Sequence, residues 1–187
     1  TSVLALGGNN LTNDIAFGLR TPMMSAEAIK VQHGCALADL VTQDEAIEVP
    51  SVGGRESRPM SKRVLADICE PRCEEILALV DQDLIKSGLK SMIGAGVVLT
   101  GGTSLIEGMQ ELAEQIFDLP VRVGYPTGIG GLTDVVNSPK YATAVGLLLH
   151  GANEERAQRG GRPFRIRDES AFDRILGRMR KWFTDIA

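Results

Sequence analysis

Two glycines follow a short apolar segment in GVVLTGGTSLIEG, residues 96–108. A glycine at the end of a strand lets the backbone come within van der Waals distance of a ligand, because it has no Cβ atom. Beyond Gly101 and Gly102, Thr103 and Ser104 precede a segment with helical spacing, whose first N–H groups favour a negatively charged ligand. This combination suits an adenine nucleotide. A plain strand-to-helix turn, with Thr103 or Ser104 as the helix cap, is the alternative.

The turn lacks the features of the common phosphate loops. No lysine follows the glycines at the spacing GxxxxGK[ST], and the pattern GxGxxG is absent as well. A second candidate element is SAEAIK, where Glu27 and Lys30 lie three residues apart and share one face of a predicted helix. A carboxylate and an ammonium side by side supply an acceptor and a donor for ribose hydroxyls. A solvated ion pair with no ligand is the alternative.

Composition excludes several classes of protein. Of the 187 residues 43% are hydrophobic and 24% are charged, as in ordinary globular proteins, and no apolar run reaches the ~18 residues that span a bilayer. The N-terminal residues lack the basic segment that begins a signal peptide. The sequence starts at Thr1 and not at a methionine, so we expect a fragment of a longer chain. Three cysteines and two histidines are too few to favour a disulfide framework or a metal site.

The predicted elements alternate between strands and helices, which indicates an α/β fold. Strands are predicted at 2–6, 96–100 and 121–126. A further strand begins at residue 45 and ends in a bend that contains proline and glycine, within EAIEVPSVGG at 45–54. Helices are predicted at 12–20, 25–40, 61–88, 104–117 and 138–150, with Thr12 or Asn10 as the cap of the first. We expect Ser61 to open the long helix and Pro71 to kink it or split it.

Several motifs occur in the order found in one known family: LTNDIA, AEAIKVQHGCAL, VPSVGGR, EPRCEEIL, VLTGGTSLIEG and GLTDVVNSPKYATAVGLL. With the tail helix they resemble FtsA, the actin-like bacterial cell-division family, over nearly the whole chain. The resemblance implies the second half of an actin-like (ribonuclease H-like) fold at 1–150. In it, an outer helix and strand subdomain at about 8–94 is inserted into an inner sheet subdomain. A flexible linker at 151–168 and an amphipathic helix at 169–187 follow.

The resemblance also implies a nucleotide site. Glu27 and Lys30 resemble the element that contacts the ribose, and Gly101, Gly102 and Thr103 resemble the adenosine motif. Gly7-Gly8 matches a turn expected to back this site. The phosphate loops and the acidic residues linked to Mg²⁺ are expected before Thr1, so this chain alone should bind ATP weakly and hydrolyse nothing. The whole protein is expected to have at most weak ATPase activity and no catalytic residue in this chain.

Partner binding is a further implication of the resemblance. The C-terminal tail of the tubulin-like FtsZ is expected at the outer subdomain, near Asp14, Arg58 and Arg72. An ordinary surface charge or a structural ion pair is the alternative for each residue. Self-association into actin-like filaments and contacts with other division proteins are also expected, and no nucleic-acid partner.

The C-terminal segment has the pattern of an interfacial helix. Its apolar residues step by three and four, while basic residues lie opposite, and it follows a polar, Gly- and Arg-rich stretch. We therefore expect a peripheral anchor to an anionic membrane; packing on its own domain or in a partner groove is the alternative. The resemblance implies that this membrane surface is the cytoplasmic face of the bacterial inner membrane, at the division site. The apolar residues are Phe172, Ile175, Leu176, Met179, Trp182 and Phe183, and the basic residues are Arg174, Arg178 and Lys181.

Three functions fit these patterns. The leading hypothesis is an ATP-binding adaptor that anchors FtsZ filaments to the inner membrane and helps to assemble the septal ring. A kinase-type enzyme of the same fold would need a catalytic aspartate and a sugar pocket, and would have no use for the amphipathic tail. A related actin-like adaptor of pilus assembly would bind a different partner.

Overall fold

The computed structural model describes residues 1–42, 45–128, 130 and 136–158. These residues belong to two compact units, Thr1–Gly124 and a second unit that begins at Tyr125. The helices and strands of the first unit are α1 (Gly8–Gly18), α2 (Met23–His33), β1 (Ala46–Val49), β2 (Arg58–Ser61), α3 (Lys62–Lys86), β3 (Val97–Leu99), α4 (Met109–Phe117) and β4 (Val121–Val123). The second unit contains α5 (Ala142–Gln158). Short 3₁₀ turns cover Ala38–Leu40, Lys90–Met92, Gly102–Leu105 and Pro139–Tyr141.

Two small sheets frame the first unit. β1 and β2 pair antiparallel, with Ile47 and Val49 of β1 facing the core. β3 and β4 pair parallel, Val97 opposite Val121. Their common carboxyl end is tied by the Thr100 hydroxyl, which donates to the Gly124 carbonyl oxygen at 3.0 Å. The glycine turn therefore starts at the carboxyl end of this two-stranded sheet, where a hydrogen bond joins the residues that follow β3 and β4.

The core of the first unit lies between three helices and is lined by apolar side chains at helical spacing. Burial of a leucine, isoleucine or phenylalanine contributes about 1.5–3 kcal/mol each, so these contacts fix how α1, α3 and α4 cross. Fully or almost fully buried are Leu11, Ile15 and Leu19 on or next to α1, Leu65, Cys69 and Cys73 on α3, and Leu112 and Phe117 on α4.

The predicted first strand is wrong, and the first helix begins earlier than predicted. Residues 2–6 form no strand, because no segment of the described chain pairs with them, and Val3 is 88% exposed. The helix predicted at 12–20 begins at Gly8 instead. Its first turn is closed by Asn10, whose side-chain oxygen accepts from the Gly7 N–H at 3.0 Å. Thr12, a predicted cap, lies inside the helix and is buried.

Two predicted helices are shorter than expected because a glycine interrupts each. The helix predicted at 25–40 ends at His33, and Gly34 donates its N–H to the Lys30 carbonyl oxygen at 3.0 Å. Ala36 then pairs with Glu107, with 2.7 Å between the Ala36 nitrogen and the Glu107 oxygen. The helix predicted at 104–117 starts at Met109, since Gly108 has φ +77°.

The longest helix agrees with the prediction except at its proline. Ser61 caps α3, and its Oγ accepts from the Arg63 N–H at 3.1 Å. The helix runs without interruption to Lys86 with Pro71 inside it, so the predicted split is absent. A proline removes one backbone donor, yet the helix continues past Pro71, and Cys69 and Cys73 on either side of it are fully buried.

The second unit differs from the prediction at its helix end. α5 continues to Gln158, eight residues past the predicted end at 150, since Ala, Glu, Arg and Gln all favour helix. Within the described residues, none of the helices has both the length and the apolar character to cross a membrane. The remainder of the predicted linker and the predicted tail helix at 169–187 lie outside the described residues.

Candidate functional site

The Lys30 ammonium is the centre of a buried polar cluster between α1 and α2. Lys30 is 8% exposed and donates to three oxygens: Glu27 Oε2 at 2.6 Å, Thr12 Oγ1 at 2.8 Å and the Gly8 carbonyl oxygen at 3.1 Å. Glu27 and Lys30 thus share one face of α2, as their spacing predicts. Since an ammonium has three protons, each Lys30 proton has a protein acceptor.

Thr12 links this ion pair to α1. Its hydroxyl oxygen lies 2.5 Å from Glu27 Oε2 and 3.0 Å from the Gly8 carbonyl oxygen, besides accepting from Lys30. The hydrogen bonds from Lys30 and Thr12 stabilise the carboxylate and hold the pKa of Glu27 below its ordinary value. The cluster is therefore a charged pair whose carboxylate is ionised at neutral pH.

The glycine turn approaches the same cluster. A Cβ added to Gly8 would lie 2.6 Å from Thr103 Oγ1 and 3.4 Å from Lys30 Nζ. Position 8 is therefore the place where the first turn of α1, the Glu27-Lys30 face of α2 and the turn after β3 converge. The structure brings Thr103 close to the pair of Glu27 and Lys30, which lie more than 70 residues earlier in the sequence.

The turn itself has the open backbone that its glycines predict. Gly101 has φ +94°, a conformation that favours glycine, and no atom lies within 4 Å of the place where its Cβ would be. Gly102 is exposed. Ser104 closes the turn, because its hydroxyl and its N–H both donate to the Gly101 carbonyl oxygen, at 2.8 and 3.2 Å. Gly102 is therefore exposed, and the space that a side chain at Gly101 would occupy is empty.

A second charged cluster surrounds the other end of α1. Arg72 of α3 donates from Nε to Asp14 Oδ2 at 2.5 Å and from Nη2 to Asp14 Oδ1 at 3.1 Å, and it also pairs with Glu75. These carboxylates hold the pKa of Arg72 above its ordinary value. Arg58 donates to the Leu19 carbonyl oxygen at 2.7 Å. The three predicted partner-binding residues thus come from three elements, α1, β2 and α3, and each makes a contact on α1 or just past its end that also holds the fold together.

The cysteines serve packing in the described part of the chain. Cys35, Cys69 and Cys73 are all free thiols and fully buried. Burial raises the pKa of Cys69 and of Cys73 to about 12. No group of three or more His, Cys, Asp or Glu side chains in the described residues is placed to hold a metal ion.

Sequence reasoning missed one member of the first cluster. Thr12 was predicted only as a helix cap, because nothing in its spacing relates it to Glu27, fifteen residues further along. Gly8 was expected to back the site, and the structure places it next to Thr103 Oγ1, which a Cβ at position 8 would meet at 2.6 Å. The predicted membrane residues between Phe172 and Phe183 lie outside the described residues.

Comparison with known proteins identifies relatives of this chain. The family model described as "Cell division protein FtsA" matches residues 1–146. The FtsA proteins of Pseudomonas aeruginosa and Escherichia coli K12 are 51% and 47% identical to it, over 83% and 81% of this chain. FtsA of Neisseria meningitidis is 44% identical over 97% of this chain. The chain spans only 37%, 38% and 44% of the lengths of these three relatives.

Solved structures with a similar fold come from the actin-like protein MreB5 of Spiroplasma citri. The structure bound to ADP matches 84% of this chain and 48% of the MreB5 chain, with a TM-score of 0.64 and 16% sequence identity. The structure bound to AMPPNP gives a TM-score of 0.61. At this identity the likeness concerns the fold alone, and it confirms the predicted actin-like α/β class. On its family match and on these identities, the chain belongs to the FtsA family of cell-division proteins.

Proposed function

We propose that this chain acts as the C-terminal half of an actin-like, ATP-binding division protein that anchors FtsZ filaments to the inner membrane and helps to assemble the septal ring. Membership of the FtsA family supports the role in division. The observation that carries the nucleotide site is the approach of Thr103 and Lys30 to Gly8. No feature of the described residues favours a kinase or a pilus adaptor.

The residues present fit an adenine nucleotide. Gly101 has open space beside its backbone and Gly102 is exposed, and the Glu27 side chain, 46% exposed, offers a carboxylate in the cluster around Lys30. Glu27 and Lys30 would lie at the ribose, and Gly101, Gly102 and Thr103 at the adenosine side. ATP, when bound, supplies a phosphoanhydride whose hydrolysis releases free energy. Mg²⁺ would be held by residues of the other half of the protein.

Partner binding is proposed near the C-terminal part of α1, where Arg58 of β2 contacts Leu19 and Arg72 of α3 contacts Asp14. Two arginines there would attract an acidic peptide such as an FtsZ tail, although each already has a protein acceptor. Self-association into actin-like filaments and contacts with further division proteins belong to the same proposal.

Membrane attachment is proposed for residues 169–187. The apolar residues from Phe172 to Phe183 would enter the interface, and Arg174, Arg178 and Lys181 would face anionic lipid, at about 1 kcal/mol each. The protein would then be peripheral, on the cytoplasmic face of the inner membrane at the division site.

Equilibrium binding of ATP to the full-length protein tests the proposal. We expect Gly102→Trp to weaken binding at least tenfold, because the indole would occupy the open side of the turn, while Gly146→Trp on the exposed face of α5 leaves affinity unchanged. Equal affinity of wild type and Gly102→Trp would assign the turn a structural role only. No binding by the wild type would overturn the nucleotide proposal.

A further inference from the structure

The two charged residues of α2 are not equivalent toward a ligand. Lys30 is buried, and its three protons are directed to Glu27, Thr12 and Gly8. A ligand oxygen would have to displace one of these acceptors in order to bind Lys30. Displacing Thr12 Oγ1 would break a hydrogen bond that is buried, which is costly.

Glu27 has the opposite character. Its Oε2 atom is held from within by Lys30 at 2.6 Å and by Thr12 at 2.5 Å. Its Oε1 atom has no hydrogen-bond partner in the described part of the chain, and the side chain is nearly half exposed. One oxygen is therefore anchored and the other is available.

The Thr12 hydroxyl has one proton and two candidate acceptors. The contact to Glu27 Oε2 is the shorter one and involves a charged acceptor, so the proton is directed there, while the Gly8 oxygen receives a Lys30 proton. Thr12 then accepts from the ammonium and donates to the carboxylate. This relay fixes the orientation of the carboxyl plane.

We propose that Thr12 is a positioning residue of the nucleotide site: together with Lys30 it anchors Glu27 Oε2, so that Glu27 Oε1 alone accepts hydrogen bonds from the vicinal hydroxyls of a ribonucleoside. This inference rests on the proposed nucleotide site and deepens it. It assigns discrimination between ribose and deoxyribose to an acceptor, and it assigns Lys30 an internal role instead of a ligand contact.

The test compares the binding of ATP with that of 2′-deoxy-ATP and 3′-deoxy-ATP to the full-length protein. We expect the wild type to prefer ATP over one of these analogues by about tenfold or more, as for a hydrogen bond to a charged group. Thr12→Val keeps the side-chain shape but removes the relay, and should lower that preference to about threefold or less. Thr12→Ser restores the hydroxyl and should restore the preference.

A ligand-free readout accompanies the binding data. Carboxyl NMR of the apo protein should give a Glu27 pKa that is higher in Thr12→Val than in wild type and that returns in Thr12→Ser. Glu27→Gln, at a half-exposed position, tests the acceptor directly and should also reduce the preference, even if Thr12→Val fails to fold.

The outcomes separate the two proposals. Absence of ATP binding to the wild type overturns the nucleotide site itself. Binding of ATP with an unaltered preference in both Thr12→Val and Glu27→Gln, or with no preference in the wild type, overturns only the role of Thr12 and Glu27. An equal loss of affinity for all three nucleotides in Thr12→Val overturns it as well, because that is the result of a purely structural change.

Discussion

Asp14 and Arg72 form a two-pronged ion pair that joins α1 to α3, with Arg72 Nε 2.5 Å from Asp14 Oδ2 and Nη2 3.1 Å from Oδ1. Both side chains remain partly exposed, at 32% and 26%. The pair therefore has two candidate roles, as a brace between helices and as a contact for an acidic partner. A charge exchange separates these roles, since it preserves the pair but reverses the charge at each position.

We expect Arg72→Ala to lower the free energy of unfolding by about 1 kcal/mol, near the upper end for a partly exposed pair, and to abolish binding of an FtsZ tail peptide. The exchange Asp14→Arg with Arg72→Asp should recover most of the stability but not the binding. Urea unfolding and peptide titration by fluorescence anisotropy measure the two effects. Recovery of binding together with stability would leave Arg72 with a structural role only.

Even the methyl side chain of alanine at position 8 is expected to impair stability and ATP binding. In Gly8→Ala the new Cβ would meet Thr103 Oγ1 at 2.6 Å, so either the threonine rotates or the turn after β3 moves. Because the contact is with a side chain, we expect a modest loss of stability, about 1 kcal/mol, and a larger effect on ATP affinity, about tenfold. Differential scanning calorimetry and nucleotide titration of the full-length protein measure both.

A neighbouring glycine provides the matched control. Gly7 has φ −176° and no atom within 4 Å of a built Cβ, so Gly7→Ala should bind ATP like the wild type. The double variant Gly8→Ala, Thr103→Ala removes the clashing hydroxyl and should regain stability without regaining affinity. Wild-type affinity in Gly8→Ala would contradict the convergence of the three elements at this position.

The periodicity of apolar residues was sufficient to predict a helix or strand where the element is long or is bounded by a capping residue. The helix predicted at 61–88 is observed at Lys62–Lys86, because its apolar repeat continues through four turns after Pro71 and Ser61 marks its start. The strand of the glycine turn is also observed, at Val97–Leu99. The predictions failed where tertiary contacts determine the boundary, as at Gly34, where the chain leaves α2 to pair with Glu107.

The candidate site could be predicted only one element at a time. The spacing of Glu27 and Lys30 is sufficient to place both on one helix face, and the glycines indicate an open turn. Their approach to Gly8 depends on how α1 packs against α2 and on where the turn after β3 lies, which no local pattern encodes. Thr12 is a buried member of the site for the same reason, since its partners come from another helix.

The buried thiols make a prediction about alkaline pH. Cys69 and Cys73 have a folded pKa of about 12, whereas an unfolded thiol ionises near pH ~8.5. Above pH ~8.5 the folded state therefore binds more protons than the unfolded state. The contribution of each protonated thiol to the free energy of unfolding is fully present below pH ~8.5 and is lost as pH rises toward 12. Each thiol contributes a slope of up to about 1.4 kcal/mol per pH unit between about pH 9 and 11.

Pulse alkylation in urea with mass spectrometry, carried out at several pH values, reports the unfolding of this unit through its own cysteines. The control is Cys69→Ala with Cys73→Ala, in which Cys35 remains as the reporter and the slope should be smaller. If the free energy of unfolding falls with pH equally in wild type and in the double variant, these thiols do not bind protons preferentially in the folded state.

The amphipathic tail makes the last prediction. Trp182 and Phe183 lie on its predicted apolar stripe, so replacing both by Glu should remove their insertion and add repulsion from anionic lipid. We expect the full-length variant to lose cosedimentation with phosphatidylglycerol-containing liposomes, as should deletion of 169–187, while binding ATP like the wild type. Asp185 lies opposite the predicted apolar stripe. Asp185→Asn removes a negative charge instead of adding two, so this variant should bind the liposomes at least as tightly as the wild type. Unchanged sedimentation of both the Glu variant and the deletion would assign membrane attachment to another part of the protein.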